Sequence, residues 1–73
     1  MGKMELKILE FFKNHSEKKY SIKELCKEFE ITQPAMWRNI RHLWYSNFII
    51  KHSDHFPVKY QFNETFFGII KKT

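Results

Sequence analysis

The chain has 73 residues, a net charge of +5 and a single cysteine. A chain of this length buries one core, so we expect a single domain over residues 1–73, and one cysteine excludes an internal disulfide. No apolar run approaches the roughly 20 residues that cross a bilayer, and the N-terminus has charges within its apolar stretch and no cleavage site. We therefore expect a cytoplasmic protein without a membrane partner, or one in the host cytoplasm if the chain is viral.

The charge is distributed unevenly along the chain. Residues 1–30 contain seven lysines and six glutamates, whereas residues 31–63 contain four lysines and arginines against Asp54 alone. A segment that is nearly free of acids is suited to facing a polyanion. Charge alone is equally compatible with an ordinary basic surface.

Thirteen aromatic residues are a large number for so small a core. Without a disulfide or a zinc motif, a domain of this size depends on packing and on partner chains. We expect some aromatic side chains to lie in a contact with a second subunit.

Apolar residues at helical spacing predict a first helix over residues 4–14. Met4, Ile8, Phe11 and Phe12 recur at i, i+4, i+7 and i+8 and mark its buried side. A polar stretch ends this helix, and a very short strand at residues 20–21 follows it. The residues that we expect to face outward are Glu5, Lys7, Glu10 and Lys13.

Capping signals predict two further helices. Ser21 followed by Glu24 has the pattern of a capping box, which indicates a second helix over residues 22–30. Thr32 is the expected N-cap of a third helix over residues 33–46, with Pro34 tolerated in its first turn. The expected buried residues are Ile22, Leu25, Cys26 and Phe29 in the second helix, and Met36, Ile40, Leu43 and either Trp44 or Asn47 from the third.

The apolar period drops to two after Asn47, which predicts strands. Residues 48–52 and 58–62 are expected to pair as a hairpin over residues 48–62. Residues 64–72 form a short apolar tail, for which we favour a helix over a strand. The predicted fold class is α+β.

Two capped helices joined by a short turn and followed by a hairpin resemble the winged helix-turn-helix transcriptional regulators of bacteria and archaea. The nearest branches are the metal-responsive (ArsR-like) and multiple-antibiotic-resistance (MarR-like) repressors, including small archaeal or viral types. The resemblance covers residues 6–62. The segments that carry it are residues 8–12 (ILEFF), 21–26 (SIKELC), 31–43 (ITQPAMWRNIRHL), 47–49 (NFI) and 59–62 (KYQF).

This resemblance implies a three-helix core, a two-stranded wing and a short C-terminal segment. It also implies a homodimeric, sequence-specific binder of double-stranded DNA that regulates transcription, with the third helix in the major groove and the wing on the adjacent backbone. Glu30 and Asn47 stand where the family favours glycine with a positive φ. The conformation costs Glu about 1 kcal/mol, so we expect the turn between the second and third helices to differ in detail. The short wing without glycine argues against deep insertion into the minor groove.

The DNA-contacting residues implied by this arrangement lie on the third helix and the wing. We expect Gln33 to pair with adenine, Arg38 to contact guanine or phosphate, and Arg41 to contact phosphate. Trp37 contacts thymine methyls or sugars, or instead packs under the first helix or in a dimer. The wing residues Lys51, His52, His55 and Lys59 contact the adjacent phosphates, or they only keep the hairpin soluble. The full expected set is Thr32, Gln33, Pro34, Ala35, Trp37, Arg38, Arg41, Tyr45, Lys51, His55 and Lys59. Lys19 and Lys23, near the start of the second helix, could also contact the DNA backbone.

Other chemistry has little support in the sequence. His52 and His55 have no accompanying cysteine or carboxylate pair, so we expect no metal and no cofactor. Cys26 is expected to be a small buried apolar residue rather than a redox sensor. No catalytic constellation or phosphate-binding glycine loop is recognisable, so we expect no enzymatic activity.

Two hypotheses about partners follow. In the first, a homodimer reads a pseudo-palindrome with recognition helices about 34 Å apart. The first helix and the tail would then form the dimer surface, and the tail would contribute Phe66, Phe67, Ile69 and Ile70. In the second, the domain is a protein–protein interaction module without DNA binding, which Trp37 and Tyr45 would suit better. The composition indicates an AT-rich genome, such as that of a virus, plasmid or archaeon.

Overall fold

Three helices and a three-stranded antiparallel sheet make up the structure, a computed structural model that describes residues 2–65. The α+β class and the order of three helices followed by a hairpin are confirmed. The elements in chain order are α1 (Lys3–Asn14), β1 (Tyr20–Ser21), α2 (Ile22–Phe29), α3 (Gln33–Tyr45), β2 (Ile49–His52) and β3 (Lys59–Phe62).

The predicted boundaries differ from the observed ones by one residue. α1 begins one residue earlier than predicted, α2 and α3 each end one residue earlier, and both hairpin strands begin one residue later. Cap geometry explains two of these differences, because Glu30 and Ser46 leave the helical conformation as C-caps. From residue 66 onward the predicted tail, with Phe66, Phe67, Ile69 and Ile70, lies outside the described residues.

Side-chain caps fix the start of α2 and of α3, as predicted. The Ser21 Oγ accepts from the Glu24 backbone N–H at 3.2 Å, and the Glu24 carboxylate accepts from the Ser21 N–H at 3.0 Å. The Thr32 hydroxyl accepts from the Ala35 N–H at 3.4 Å, with Pro34 in the first turn. These caps satisfy backbone donors that would have no partner inside the helix.

Two non-glycine residues have a left-handed backbone, as the sequence suggested. Glu30 has a φ of 56° and ends α2, while Asn47 has a φ of 66° and follows α3. The turn between α2 and α3 therefore keeps a positive φ at Glu30. In this conformation Glu30 is the C-cap of α2, and its backbone N–H donates to the Cys26 carbonyl.

The core joins all three helices to the hairpin. The residues of α3 predicted to point inward, Met36, Ile40 and Leu43, are fully buried. In α2 only Leu25 is fully buried, while Cys26 is half-buried rather than enclosed as predicted. The complete buried apolar cluster is Ile8, Phe12, Leu25, Met36, Ile40, Leu43, Ile49, Tyr60 and Phe62.

The sheet ties the two halves of the chain together. β3 is its central strand, with β1 on one side and β2 on the other, both antiparallel. Tyr60 is opposite Tyr20 on β1 and Lys51 on β2. The hairpin is thereby held against the start of α2. No helix among residues 2–65 is long and apolar enough to cross a membrane.

We expect Glu30→Gly to stabilise the protein by about 1 kcal/mol, because glycine adopts the left-handed conformation without a steric penalty. The matched control is Glu10→Gly at an exposed site inside α1, which should cost about 1 kcal/mol. Urea unfolding followed by circular dichroism measures both. A loss of stability in the Glu30 variant would contradict this account of the turn.

Candidate nucleic-acid interface

The solvent side of α3 carries a ridge opposite its buried residues. Pro34, Arg38, Arg41 and Tyr45 follow one another at i, i+4, i+7 and i+11, so they project from the same side of the helix. All four are exposed, and Tyr45 is 67% exposed. We call these four residues the α3 ridge.

The two arginines of the α3 ridge open onto one surface. Arg38 and Arg41 both line an open cleft of about 460 Å³ between the start of α1 and the exposed side of α3. Two guanidinium groups that share an accessible surface can bind two neighbouring oxyanions, because each presents several N–H donors. The cleft also contains Gly2, Glu5, Asn39, His42 and Tyr45.

A buried carboxylate from α1 reaches α3 beside this cleft. The prediction that Glu5 faces outward is wrong, since Glu5 is only 6% exposed. Its Oε1 atom is 2.7 Å from His42 Nδ1, and its Oε2 atom is buried without a hydrogen-bond partner among the described residues. Glu5 lies on the stripe of Ile8 and Phe12, three and seven residues before them, and that spacing was the available signal. No sequence pattern points to His42, because its partner Glu5 lies 37 residues away.

The Glu5–His42 contact positions the arginines. His42 follows Arg41 directly and lies one turn after Arg38, so its bond to α1 fixes how this part of α3 is rotated. The side chain of Asn39 donates to the carbonyl of Ala35 at 2.9 Å on the same side. The ridge is therefore held from both the core and the α1 side.

The first turns of α3 contain the other predicted contact residues. Thr32 and Gln33 are exposed, Ala35 is half-buried, and Trp37 is 38% exposed. Trp37 lies seven residues before Trp44 and so on the same side of α3, which is the side next to β2. Part of its ring reaches solvent beside the α3 ridge.

The predicted hairpin residues do not form one surface. Lys51 places its Nζ 4.5 Å from the centre of the Trp44 ring, beside α3. Lys59 instead points to α2, where its Nζ is 3.7 Å from the Glu24 carboxylate. His55 lies near the hairpin tip, with Nε2 3.6 Å from Asp54. Only Lys51 is joined to the helix that carries the arginines.

Hydrogen bonding keeps the partner of Lys59 charged. The backbone N–H of Ser21 holds the pKa of the Glu24 carboxyl below its ordinary value, and Lys59 lowers this pKa further. Partial burial raises this pKa, with an influence second only to that of the Ser21 backbone hydrogen bond. Lys59 thus faces a carboxylate at neutral pH, which reduces its availability for a phosphate.

The histidine pair of the hairpin is engaged in other contacts. His52 Nε2 is 2.9 Å from the Gln61 side-chain oxygen, and the Gln61 amide donates to the Ser16 carbonyl at 3.2 Å. Within residues 2–65 no group of three or more histidine, cysteine, aspartate or glutamate side chains could hold a metal ion.

Comparison with known protein families, characterised proteins and solved structures finds no match for this chain.

We expect His42→Ala to destabilise the protein by about 1–3 kcal/mol, because it leaves the Glu5 carboxylate buried without a partner. The reciprocal change, Glu5→Leu, should cost less. It leaves His42, whose side chain is 64% exposed, to be hydrated by water. Chemical unfolding of the two variants measures the asymmetry. Equal losses, or a larger loss for Glu5→Leu, would contradict the buried-carboxylate account.

The depressed pKa of Glu24 predicts a pH-dependent contribution to stability. A carboxyl with a lower pKa in the folded state stabilises it above the unfolded pKa and loses this effect as the pH falls through the folded value. Glu24→Gln keeps a side chain that can complete the capping box but removes the charge. The unfolding free energies of the wild type and this variant should differ most at neutral pH and converge as the pH falls through the depressed folded pKa of Glu24. A difference that does not change with pH would show that the charge is unimportant.

Proposed function

We propose that this protein binds double-stranded DNA as a winged helix-turn-helix domain, with α3 in the major groove, and regulates transcription. The observation that carries the proposal is the shared open surface of Arg38 and Arg41 on a helix whose other side is fully buried. The major groove of DNA, about 12 Å wide, admits one α-helix. A binding role of this kind requires no catalytic group.

The arrangement of α2, α3 and the hairpin supports this proposal. The two capped helices are joined by residues 30–32, as in a helix-turn-helix, and β2 lies against the side of α3 through the Lys51–Trp44 contact. Gln33 in the first turn of α3 is suited to reading a base edge. Arg38 and Arg41 are then suited to the phosphates that border the groove.

The net charge of residues 31–63 fits the same partner. This segment contains α3 and the hairpin, and Asp54 is its only acidic residue. Cations next to DNA release condensed counterions, so binding that depends on these cations weakens steeply as the salt concentration rises.

We further propose that two copies bind a pseudo-palindrome. Leu6 of α1, which is 51% exposed, would lie in the contact between the copies.

One observation favours a second candidate function. Trp37 and Tyr45 are 38% and 67% exposed on or beside the α3 ridge, and exposed aromatic side chains are enriched at protein–protein contacts. A protein partner that covers the ridge would bury both rings. Its binding would depend on these two residues more than on the arginines, and only weakly on salt.

The double variant Arg38→Ala/Arg41→Ala tests the proposed function. We expect DNA affinity to fall at least tenfold, on the order of 1.4 kcal/mol or more, with duplexes recovered from a random-sequence pool. The slope of log affinity against log salt should become shallower by about 1.8, since each phosphate contact contributes about 0.9. Fluorescence anisotropy over a salt series measures both quantities.

The matched control removes two positive charges from the exposed surface of α1. Lys7→Ala/Lys13→Ala should leave the affinity nearly unchanged, because neither lysine lines the cleft that contains the two arginines. Equal losses of DNA affinity in the two double variants would mean that the arginines act only through the net charge of the protein. If no duplex binds even at low salt, the protein-partner function replaces the DNA-binding one.

A further inference from the structure

A cluster of aromatic rings lies at the surface where α1, β1 and α2 meet. The centre of the Phe11 ring is 4.9 Å from that of Tyr20 and 5.4 Å from that of Phe29. The His15 ring lies 4.5 Å from Phe11 on the same helix. All four side chains are half-buried, so part of this aromatic surface is open to solvent and available to a partner.

Two open clefts adjoin at Phe11. The first has a volume of about 390 Å³ and is lined by Phe11, Tyr20, Glu24, Lys27 and Glu28. The second has a volume of about 270 Å³ and is lined by Lys7, Glu10, Phe11, Asn14, Glu28 and Phe29. Phe11 and Glu28 line both clefts, so we call the two together the aromatic groove. It shares no residue with the cleft of Arg38 and Arg41, and the two surfaces are therefore separate.

Carboxylates outnumber cations around the aromatic groove. Each of its two clefts is lined by two glutamates and one lysine. Glu24 is occupied by the cap of α2 and by Lys59. The ion pairs in the described part of the chain include neither Glu10 nor Glu28. Although the protein has a net charge of +5, this groove has two carboxylates with which a cation from outside can pair.

The electrostatic field inside the groove is negative. Burial raises the pKa of the Tyr20 hydroxyl, and the carboxylates of Glu24 and Glu28 raise this pKa further. Glu24 and Glu28 are also one turn apart on α2, where like charges repel each other. A field that disfavours a tyrosinate anion favours a cation, and a bound cation would relieve the repulsion.

We propose that the aromatic groove binds an arginine-bearing segment of a partner protein, with one guanidinium stacked on Phe11 and paired with Glu28. Arginine fits this groove better than lysine does. Its planar guanidinium stacks on an aromatic face and donates two parallel hydrogen bonds to one carboxylate. Glu10, on the α1 side of the groove, then pairs with a second arginine of the same segment. DNA binding is not required for this contact, because the two surfaces are separate.

The test titrates isotope-labelled full chain, without DNA, with a short blocked peptide that alternates arginine with alanine. The largest amide shifts should occur at Phe11, Glu28 and Phe29. The arginine side-chain protons should move upfield, because they lie over an aromatic ring. The same peptide with citrulline, a neutral isostere, in place of arginine should bind on the order of tenfold more weakly. Protein and peptide are both positively charged overall, so non-specific attraction does not produce this binding.

Three variants locate the contact within the groove. Glu28→Gln removes the paired carboxylate and should weaken binding of the arginine peptide roughly threefold. The matched control, Glu17→Gln, removes an exposed carboxylate that lines neither cleft, and should bind as the wild type does. Phe11→Leu keeps an apolar side chain but should abolish the upfield shift of the arginine protons.

Several outcomes would overturn this proposal. One is the absence of shifts in the groove at millimolar peptide, and another is equal binding of the arginine and citrulline peptides. Equal losses in Glu28→Gln and Glu17→Gln would show that the peptide responds only to net charge. If the groove resonances change on dilution of the protein alone, a second copy is the occupant and the arginine segment is wrong. The proposed DNA binding is unaffected by these results, since none involves Arg38 or Arg41.

Discussion

The packing of α3 into the core is the constraint on which the rest of the structure depends. Met36, Ile40 and Leu43 are fully buried, and together they fix the rotation of the helix about its axis. A shift by one residue would turn the helix by about 100° and carry charged or polar side chains towards the core. With the rotation fixed, Arg38 and Arg41 can only project to the opposite side. Burial on one side of α3 thus creates the basic surface on the other.

Two further contacts attach neighbouring elements to this helix. On one side, the bond between Glu5 and His42 joins α3 to α1 next to the arginines. On the other side, Lys51 rests on Trp44 and joins α3 to the hairpin. Each of these two contacts uses a charged or ionisable side chain instead of additional apolar packing. A domain of this size has room for few core residues. The exposed ridge of α3 lies between these two attachments, both of which contact the last turn of the helix.

The sequence predicted the local features well, because they depend on neighbouring residues. The capping box of Ser21, the Thr32 cap and the inward positions of α3 were each recognisable from spacing, and all are present. The failures involve contacts across the chain. Glu5 meets His42 from 37 residues away, which no local pattern reveals, so a charge assigned to solvent is in fact buried. The ion pair of Lys59 with Glu24 is likewise invisible locally, because it forms only where β3 lies beside the start of α2.

The exposed side of α3 is the surface on which the proposed DNA binding depends, and chemical-shift mapping tests this most directly. Isotope-labelled protein is titrated with a duplex from the random-sequence selection while its backbone amide resonances are followed. The account predicts the largest shifts within Gln33–Tyr45, smaller ones in the hairpin, and none on the outer sides of α1 and α2 around Phe11 and Phe29. Shifts centred on Phe11 and Phe29, with the resonances of α3 unchanged, would contradict it.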